Sequence, residues 1–147
     1  MSRPAWDDYF MQMATLAASR STCLRRHVGA VIVKERMVLS TGYNDTPRGV
    51  PNCGEGGCAR CASDVPSGVG HDTCLCLHAE QNSIIQAAYH GVSIAGGSIY
   101  VTHQPCLICA KMILNAGLRR VVFAGDYPDA LAREMLEAAG VELVRVV

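Results

Sequence analysis

The sequence has no excess of charge of either sign. Thirteen Lys and Arg residues balance thirteen Asp and Glu residues, and the formal net charge at pH 7 is zero. Proteins that bind nucleic acid usually carry a basic face, so this balance argues against a nucleic-acid partner. The chain also lacks an apolar run of about 20 residues, the length that crosses a bilayer. We therefore expect neither nucleic acid nor a membrane among its partners.

The N-terminal stretch lacks the apolar core of a signal peptide. It reads Met1-Ser2-Arg3-Pro4-Ala5-Trp6-Asp7-Asp8, which is polar for most of its length. Eight cysteines would suit a secreted disulfide protein, but without an export signal they favour metal binding instead. These features predict a cytoplasmic protein.

Hydrophobic periodicity and turn residues predict four helices and five strands along the 147 residues. Helices are expected over 6–18, 78–89, 106–116 and 128–139, and strands over 29–34, 38–43, 98–102, 120–124 and 141–147. This order predicts an α/β protein, a three-layer α/β/α sandwich on a mixed five-stranded sheet whose later strands are parallel. In the first helix, a stripe at helical spacing is expected to face the core: Trp6, Tyr9 or Phe10, Met13, and Leu16 or Ala17.

Two short motifs carry the chemistry. The first is His78-Ala79-Glu80 and the second is Pro105-Cys106-Leu107-Ile108-Cys109. One imidazole and two thiolates make a tetrahedral zinc site that leaves its fourth position to water, whose pKa the metal lowers to about 7. Cys106 and Cys109 are three residues apart, so both sulfurs face one side of a helix N-terminus, where the dipole favours thiolate. The zinc is expected between two helix N-termini.

Glu80 follows His78 by two residues, which brings its carboxylate near the bound water without making it a ligand. It can then take the proton of that water and return it to the substrate. His-x-Glu followed by Pro-Cys-x-x-Cys is typical of zinc-dependent nucleobase deaminases. A Cys-x-x-Cys alone is also found in redox pairs and structural zinc sites, but no thioredoxin-like pattern precedes this one.

A cysteine-rich segment, residues 45–77, shows no periodicity. A structureless stretch of this length is uncommon in a compact domain unless something holds it, and a metal ion would do so. With Cys23 upstream, it offers a pool of seven ligands: Cys23, Cys53, Cys58, Cys61, His71, Cys74 and Cys76.

Several further motifs make the chain similar to a known family over nearly its whole length. They are Arg20-Ser21-Thr22-Cys23, Val28-Gly29-Ala30, Thr41-Gly42-Tyr43-Asn44, His78-Ala79-Glu80-Gln81-Asn82, Tyr100-Val101-Thr102-His103 with Pro105-Cys106, and Ala110-Lys111 through Asn115-Ala116-Gly117. The chain resembles the deoxycytidylate (dCMP) deaminase family, particularly its ComE operon protein 2 group.

The resemblance implies the cytidine-deaminase fold, in a single deaminase domain over 1–147 with a Cys-rich insertion at about 45–77. It implies a catalytic zinc on His78, Cys106 and Cys109, Glu80 as the proton shuttle, and Asn44 as a nucleotide contact. The implied reaction converts dCMP and water to dUMP and ammonia, as part of nucleotide metabolism. Members of the family are commonly hexamers regulated by dCTP and dTTP, so effectors and a homo-oligomer are expected.

Two details separate the chain from neighbouring families of the same fold. Its metal motif begins with His78, where free-nucleoside cytidine deaminases have Cys. Asn44 and His78 are separated by 33 residues, where tRNA adenosine deaminases have a short connection. This long connection resembles the insertion that carries a second zinc in some dCMP deaminases.

The second zinc is expected on four ligands, which leave no open position. The resemblance points to Cys23 and Cys53, and we complete the set with His71 and Cys76. Cys58, Cys61 and Cys74 are the alternates. Cys61 and Cys76 depart from the family pattern, as does the longer connection between Cys58 and Cys74.

A nucleotide substrate also needs a group that binds its phosphate. Arg25, Arg26 and Arg48 lie in the loops near the hairpin ends, and we take Arg26 as the candidate. His103 and Tyr127 follow predicted strands and are candidates for base or sugar contacts. The alternatives are deamination of another small cytosine or guanine compound, or a zinc-stabilised interaction module. The neutral charge of the chain argues against an interaction module, and so does the presence of Glu80 beside a set of only three metal ligands.

Overall fold

The fold is a five-stranded mixed sheet with helices on both faces. The computed structural model describes residues 2–126 and 129–146. The strands are β1 (Gly29–Lys34), β2 (Met37–Tyr43), β3 (Ser98–His103), β4 (Arg120–Gly125) and β5 (Glu142–Arg145). Their order is β2-β1-β3-β4-β5. β1 runs antiparallel to both β2 and β3, whereas β3, β4 and β5 run parallel. The predicted mixed sheet is confirmed.

Four α-helices complete the three layers: α1 (Trp6–Ala18), α2 (Ala79–Tyr89), α3 (Leu107–Asn115) and α4 (Ala130–Ala138). α2, α3 and α4 cover one face, where Ala87, Ile113 and Leu136 pack with Ile32 and Val121 in the larger core. α1 covers the other face and packs on side chains such as Val31, Tyr100 and Val122. The predicted three-layer sandwich is therefore confirmed.

α1 has the predicted bounds, but only part of the predicted stripe faces the sheet. Its buried residues are Phe10, Met11, Ala14 and Ala18. Of the predicted stripe, Phe10 is buried and Met13 packs against the same core, whereas Trp6 and Leu16 keep 47% and 72% of their surface exposed. The prediction was therefore right at Phe10 and Met13 and wrong at Trp6. Small side chains at Ala14 and Ala18 let the helix backbone lie close to β1, and this close approach decided the buried face.

Two glycines let helices approach the β1–β2 hairpin closely. A Cβ atom on Gly29 would collide with the backbone of α1 at Ala14, and one on Gly42 with the backbone of α2 at Ala79 and Ser83. Gly42 therefore sets the position of the helix that begins directly after His78.

Residues 45–77 form no long helix or strand, as predicted, and contain two short 3-10 turns at Cys53–Glu55 and His71–Thr73. The backbone N–H of Leu77 donates to the carbonyl of Asp45 at 2.8 Å, which joins the two ends of the segment. Across the described residues, no helix combines the length and apolar character needed to traverse a bilayer.

Candidate active site

Three donor atoms meet where α2 and α3 begin. Nδ1 of His78 lies 3.2 Å from Sγ of Cys109 and 3.4 Å from Sγ of Cys106. Zinc bonds of about 2.0–2.1 Å to nitrogen and 2.3 Å to sulfur place tetrahedral ligands about 3.5 Å apart. All three donors lie within 4.8 Å of one another. The set therefore fits one zinc ion with three protein ligands, as the two motifs predict.

Helix starts produce this convergence. His78 and Cys106 are the N-cap residues of α2 and α3, and Cys109 lies in the first turn of α3. The hydrogen bond from Cys109 and the nearby His78 lower the pKa of Cys106 to about 4, although burial opposes the shift. These neighbours favour the thiolate form of Cys106, which is the form that binds a metal.

Glu80 is buried beside these donors, with 5% of its surface exposed. Burial raises the pKa of its carboxyl to about 7, against the lowering effect of His78. A cation held by the neighbouring ligands would lower this value again, since an opposite charge favours the ionised form. The carboxyl therefore lies directly beside the metal-binding donors, where it can take up and pass on a proton.

One acid holds the second metal-binding helix in place. Asp129 accepts a hydrogen bond from the backbone N–H of Leu107 at 3.0 Å, and another from the N–H of Ala132 at 2.9 Å. It thereby caps the N-termini of α3 and α4 with one carboxylate. Gln104, which borders the site, donates to the carbonyl of Asp129 at 3.0 Å.

A pocket opens beside His78, Cys106 and Glu80, and Asn44 also lines it. Oδ1 of Asn44 accepts from the N–H of Val28 at 2.8 Å, and Nδ2 donates to the carbonyl of Arg26 at 2.7 Å. Each polar atom of this amide keeps one further hydrogen-bonding position. Asn44 therefore shapes the loop before β1 and still has capacity for a ligand.

Arg26 and His103 line the same pocket, as their candidate roles require. Burial and the positive charge of Arg26 lower the pKa of His103, which favours the neutral form of its ring. Tyr127, the remaining substrate candidate, lies outside the described residues. Of the other two arginines considered for phosphate, Arg25 binds backbone carbonyls of the segment 45–77, and Arg48 lies over the ring of Tyr89.

The cysteines outside the catalytic site form two overlapping groups, each with its sulfurs within 4.8 Å of one another. We call them the Cys23 group (Cys23, Cys53, Cys61 and Cys76) and the Cys58 group (Cys58, Cys61, Cys74 and Cys76). Neither group contains His71, whose ring packs edge-on against His78 at 5.7 Å between centroids. Of the predicted set, the structure brings Cys23, Cys53 and Cys76 together, with Cys61 as their fourth neighbour, and it leaves His71 outside this group.

Sequence reasoning missed Asp45, which organises the base of the cysteine-rich segment. Its carboxylate accepts hydrogen bonds from the N–H groups of Thr22 at 2.7 Å, Thr46 at 2.8 Å and Cys53 at 3.0 Å. Burial raises the pKa of Asp45, but these donors outweigh burial and hold it below the ordinary value of an aspartate. Asp45 directly follows Asn44 at the end of a strand, and this position could have indicated a structural role from the sequence.

Asp129 and Arg60 were also missed. An Asp before an amphipathic run is an N-cap signal for its own helix, but nothing in sequence spacing indicates its second contact with α3. Arg60 lines the pocket and donates to the carbonyls of Pro66 and Val69. No motif surrounds it that distinguishes it from a surface arginine.

A mixed sheet with a His, two Cys and a buried Glu between two helix N-termini defines the class of zinc-dependent deaminases. The chain belongs to the cytidine and deoxycytidylate deaminase family, whose zinc-binding region matches residues 4–125. It is 48% identical to the deoxycytidylate deaminase of Schizosaccharomyces pombe over 142 residues, which cover 96% of this chain and 44% of that protein. It is 40% identical to ComE operon protein 2 of Bacillus subtilis over 147 residues, covering 99% of this chain and 74% of that one.

One solved structure is similar to this chain in both fold and sequence. The dCMP deaminase of cyanophage S-TIM5, crystallised in complex with dCMP and dUMP, superposes with a TM-score of 0.80 at 31% identity, covering 99% of this chain and all of that one. The chain spans less than half the length of the fission yeast relative.

Proposed function

We propose that the chain catalyses the hydrolytic deamination of dCMP to dUMP and ammonia. The observation that carries the proposal is the convergence of His78, Cys106 and Cys109 beside the buried carboxyl of Glu80, under an open pocket. The names of the relatives and the dCMP and dUMP in the cyanophage structure support the choice of substrate.

His78, Cys106 and Cys109 would hold the zinc ion, which when bound supplies a polarised water molecule for attack on C4 of cytosine. Glu80 takes a proton from the attacking water and gives it to N3 of the ring. Glu80 then moves a second proton from the new hydroxyl to the amine, which leaves as ammonia. The buried position of Glu80 keeps bulk water from competing for these protons.

Asn44, Arg26 and His103 are proposed to hold the nucleotide. The spare N–H and lone pair of the Asn44 amide suit a sugar hydroxyl or the base edge. Arg26 supplies the positive charge for the phosphate, and the neutral ring of His103 can donate or accept one hydrogen bond. All three border the pocket from loops or strand ends next to the metal-binding helices.

Zinc is proposed at a second place, the Cys23 group. Four buried or half-buried thiols at mutual distances within 4.8 Å fit a closed tetrahedral site. Such an ion would have a structural role, since no position remains for water.

The experiment that tests the activity compares ammonia release from dCMP, deoxycytidine and dCTP by the zinc-loaded chain, with Cys109→Ala as the inactive control. We expect the highest kcat/KM for dCMP and no release by the variant. Faster turnover of deoxycytidine, or of a guanine compound added to the panel, would contradict the proposed substrate.

The family resemblance also supports proposals on the whole protein: a cytoplasmic hexamer whose activity responds to dCTP and dTTP. Light scattering of the purified chain, with and without each nucleotide, tests assembly. Rate measurements at subsaturating dCMP test the effectors, and a monomer unaffected by either nucleotide would contradict both.

A further inference from the structure

Six cysteines converge on one centre that the proposed reaction does not use. They are Cys23 from the loop after α1, and Cys53, Cys58, Cys61, Cys74 and Cys76 from the segment 45–77. All six are free thiols. We call them the six-cysteine cluster. The Cys23 group and the Cys58 group divide it into two sets of four, and Cys61 and Cys76 belong to both.

The distances in the cluster match those of metal thiolates. Sγ of Cys61 lies 3.9 Å from Sγ of Cys74 and 3.9 Å from Sγ of Cys76, and Cys58 lies 3.9 Å from Cys74. A tetrahedral ion with bonds of about 2.3 Å to sulfur separates its ligands by about 3.8 Å. In a disulfide, by contrast, the two sulfur atoms are bonded at about 2.05 Å. The sulfurs are therefore spaced as ligands of an ion rather than as disulfide partners.

The number of sulfurs points to two ions rather than one. A single four-coordinate ion would use four of the six thiols. The other two, buried or half-buried at the same centre, would bind no metal. Two separate ions would need eight thiolates, and the cluster has six. Six suffice for two complete tetrahedra only when two sulfurs are shared, and the two residues common to both groups are Cys61 and Cys76.

We propose that the six-cysteine cluster binds two zinc ions as a binuclear centre in which Cys61 and Cys76 bridge the metals. Cys23 and Cys53 are the terminal ligands of the first ion, and Cys58 and Cys74 are those of the second. Soft thiolate ligands in tetrahedral sets select zinc among the common divalent ions.

The surroundings of the cluster fit a centre with excess negative charge, since six thiolates outnumber the charges of two divalent ions. The guanidinium of Arg25 donates from Nε to the carbonyl of Cys61 at 2.9 Å, and from other nitrogens to Ser63 and Val65. The backbone N–H of Leu75 points at Sγ of Cys58 at 3.3 Å. Hydrogen bonds of this kind orient thiolate ligands in known metal sites.

The centre would fix one wall of the catalytic pocket. Arg60, Ser67 and His71 of the same segment line the pocket, as do four members of the cluster, Cys23, Cys61, Cys74 and Cys76. The segment has no helix or strand longer than its two short 3-10 turns, and the metals would join Cys23 and five of its cysteines at one point. His78, Glu80 and the α3 cysteines are placed by α2 and α3, and loss of the second ion should disturb substrate binding more than chemistry.

The first experiment measures the zinc content of the purified 147-residue chain by inductively coupled plasma mass spectrometry. We expect about three ions per chain, one catalytic and two in the cluster. Cys74→Ser removes a terminal ligand of the second ion only, and we expect about two ions, with KM for dCMP rising more than kcat falls. Thr73→Ser, a neighbouring change that touches no ligand, should keep about three. A wild-type content of two or fewer ions per chain, fully loaded, would overturn the proposal.

The second experiment needs no variant and identifies the bridges directly. In the chain loaded with cadmium-113, proton–cadmium correlation spectra link each cysteine Hβ to the ions its sulfur binds. We expect Cys61 and Cys76 to correlate with two ions each and the four terminal cysteines with one each. A spectrum in which every cysteine correlates with at most one ion would rule out the bridged centre.

Discussion

Asp129 caps the helix that carries Cys106 and Cys109, although it lies 22 residues further along the chain than Leu107, whose N–H it binds. The same carboxylate caps α4 through Ala132. The position of two metal ligands thus depends on an acid from the loop between β4 and α4.

Replacing Asp129 by Ala should therefore lower both stability and zinc affinity. Loss of a helix cap costs about 1 kcal/mol, and this residue caps two helices, so we expect about 2 kcal/mol in urea unfolding. Asp126→Ala is the control, since Asp126 is exposed and pairs only with Arg145 among the described ion pairs. Equal stability and zinc retention in the two variants would show that the cap does not position α3.

Gly42→Ala tests whether the close contact between β2 and α2 places His78 and Glu80. The added methyl group would collide with the backbone of Ala79 and Ser83 and push the helix from the sheet. Overpacking of this kind costs about 1–3 kcal/mol, and we also expect weaker binding of the catalytic zinc, measured by chelator competition.

Gly29→Ala is the matched comparison, because its methyl group would meet Ala14 of α1 on the opposite face. It should lower stability without lowering zinc affinity. If both variants lose zinc equally, the role assigned to the Gly42 contact is wrong.

Acid should weaken the link between α1 and the sheet. The carboxylate of Asp7 accepts two hydrogen bonds from Arg120, at 2.8 and 2.9 Å, and one from Tyr100 at 2.7 Å. The hydrogen bond from Arg120 lowers the pKa of Asp7 from 3.8 to about 2, although burial opposes it. A pKa lowered by folding adds stability that is complete above the unfolded value and is lost as the pH falls through the folded one.

Asp7→Asn should therefore be less stable than the parent by about 1–2 kcal/mol at pH 7, after allowing for solvent screening of this half-exposed pair. The difference should shrink as the pH falls from about 4 to about 2. Urea unfolding at both ends of this range measures it, with Asp8→Asn on the same turn as the control. A difference that stays constant with pH would exclude the ionised pair as its source.

Arg26→Gln tests the proposed phosphate contact. A hydrogen bond to a charged group contributes about 1.5–3 kcal/mol, so KM for dCMP should rise about 10- to 100-fold. Deoxycytidine has no phosphate, and its kinetics should change little. Arg36→Gln is the control, because Arg36 lies over Trp6 at the other end of β1. An equal loss of activity toward dCMP and deoxycytidine would show that Arg26 supports the fold and does not bind the phosphate.

The sequence predicted the elements of the sandwich and the convergence of His78, Cys106 and Cys109, because each left a local signal. α1 has the bounds that its periodicity predicts, and Gly117 and Gly140 follow helices that end where expected. The two motifs that contain His78, Cys106 and Cys109 lie at the starts of helices. The spacing of residues there decides which way their side chains point. The residues in these motifs were therefore predictable one by one.

The remaining features depend on tertiary contacts between residues that are far apart in the chain, and such contacts leave no local sequence pattern. The segment 45–77 has no periodicity, so nothing distinguished His71 from Cys61 as a ligand before the sulfurs were placed together. Asp45 and Asp129 act on backbone N–H groups that are distant in the chain. The buried face of α1 was decided by how closely Ala14 approaches β1, which its own hydrophobic pattern does not encode.

The most direct test of the central claim is the turnover of dCMP by Glu80→Gln, measured together with its zinc content. The account predicts a full complement of zinc and a rate about 10²- to 10⁴-fold lower, because the proton shuttle is gone and the ligands remain. Glu137→Gln, on the exposed side of α4, should keep the parental rate. Turnover by Glu80→Gln at close to the parental rate, with zinc bound, would contradict the account.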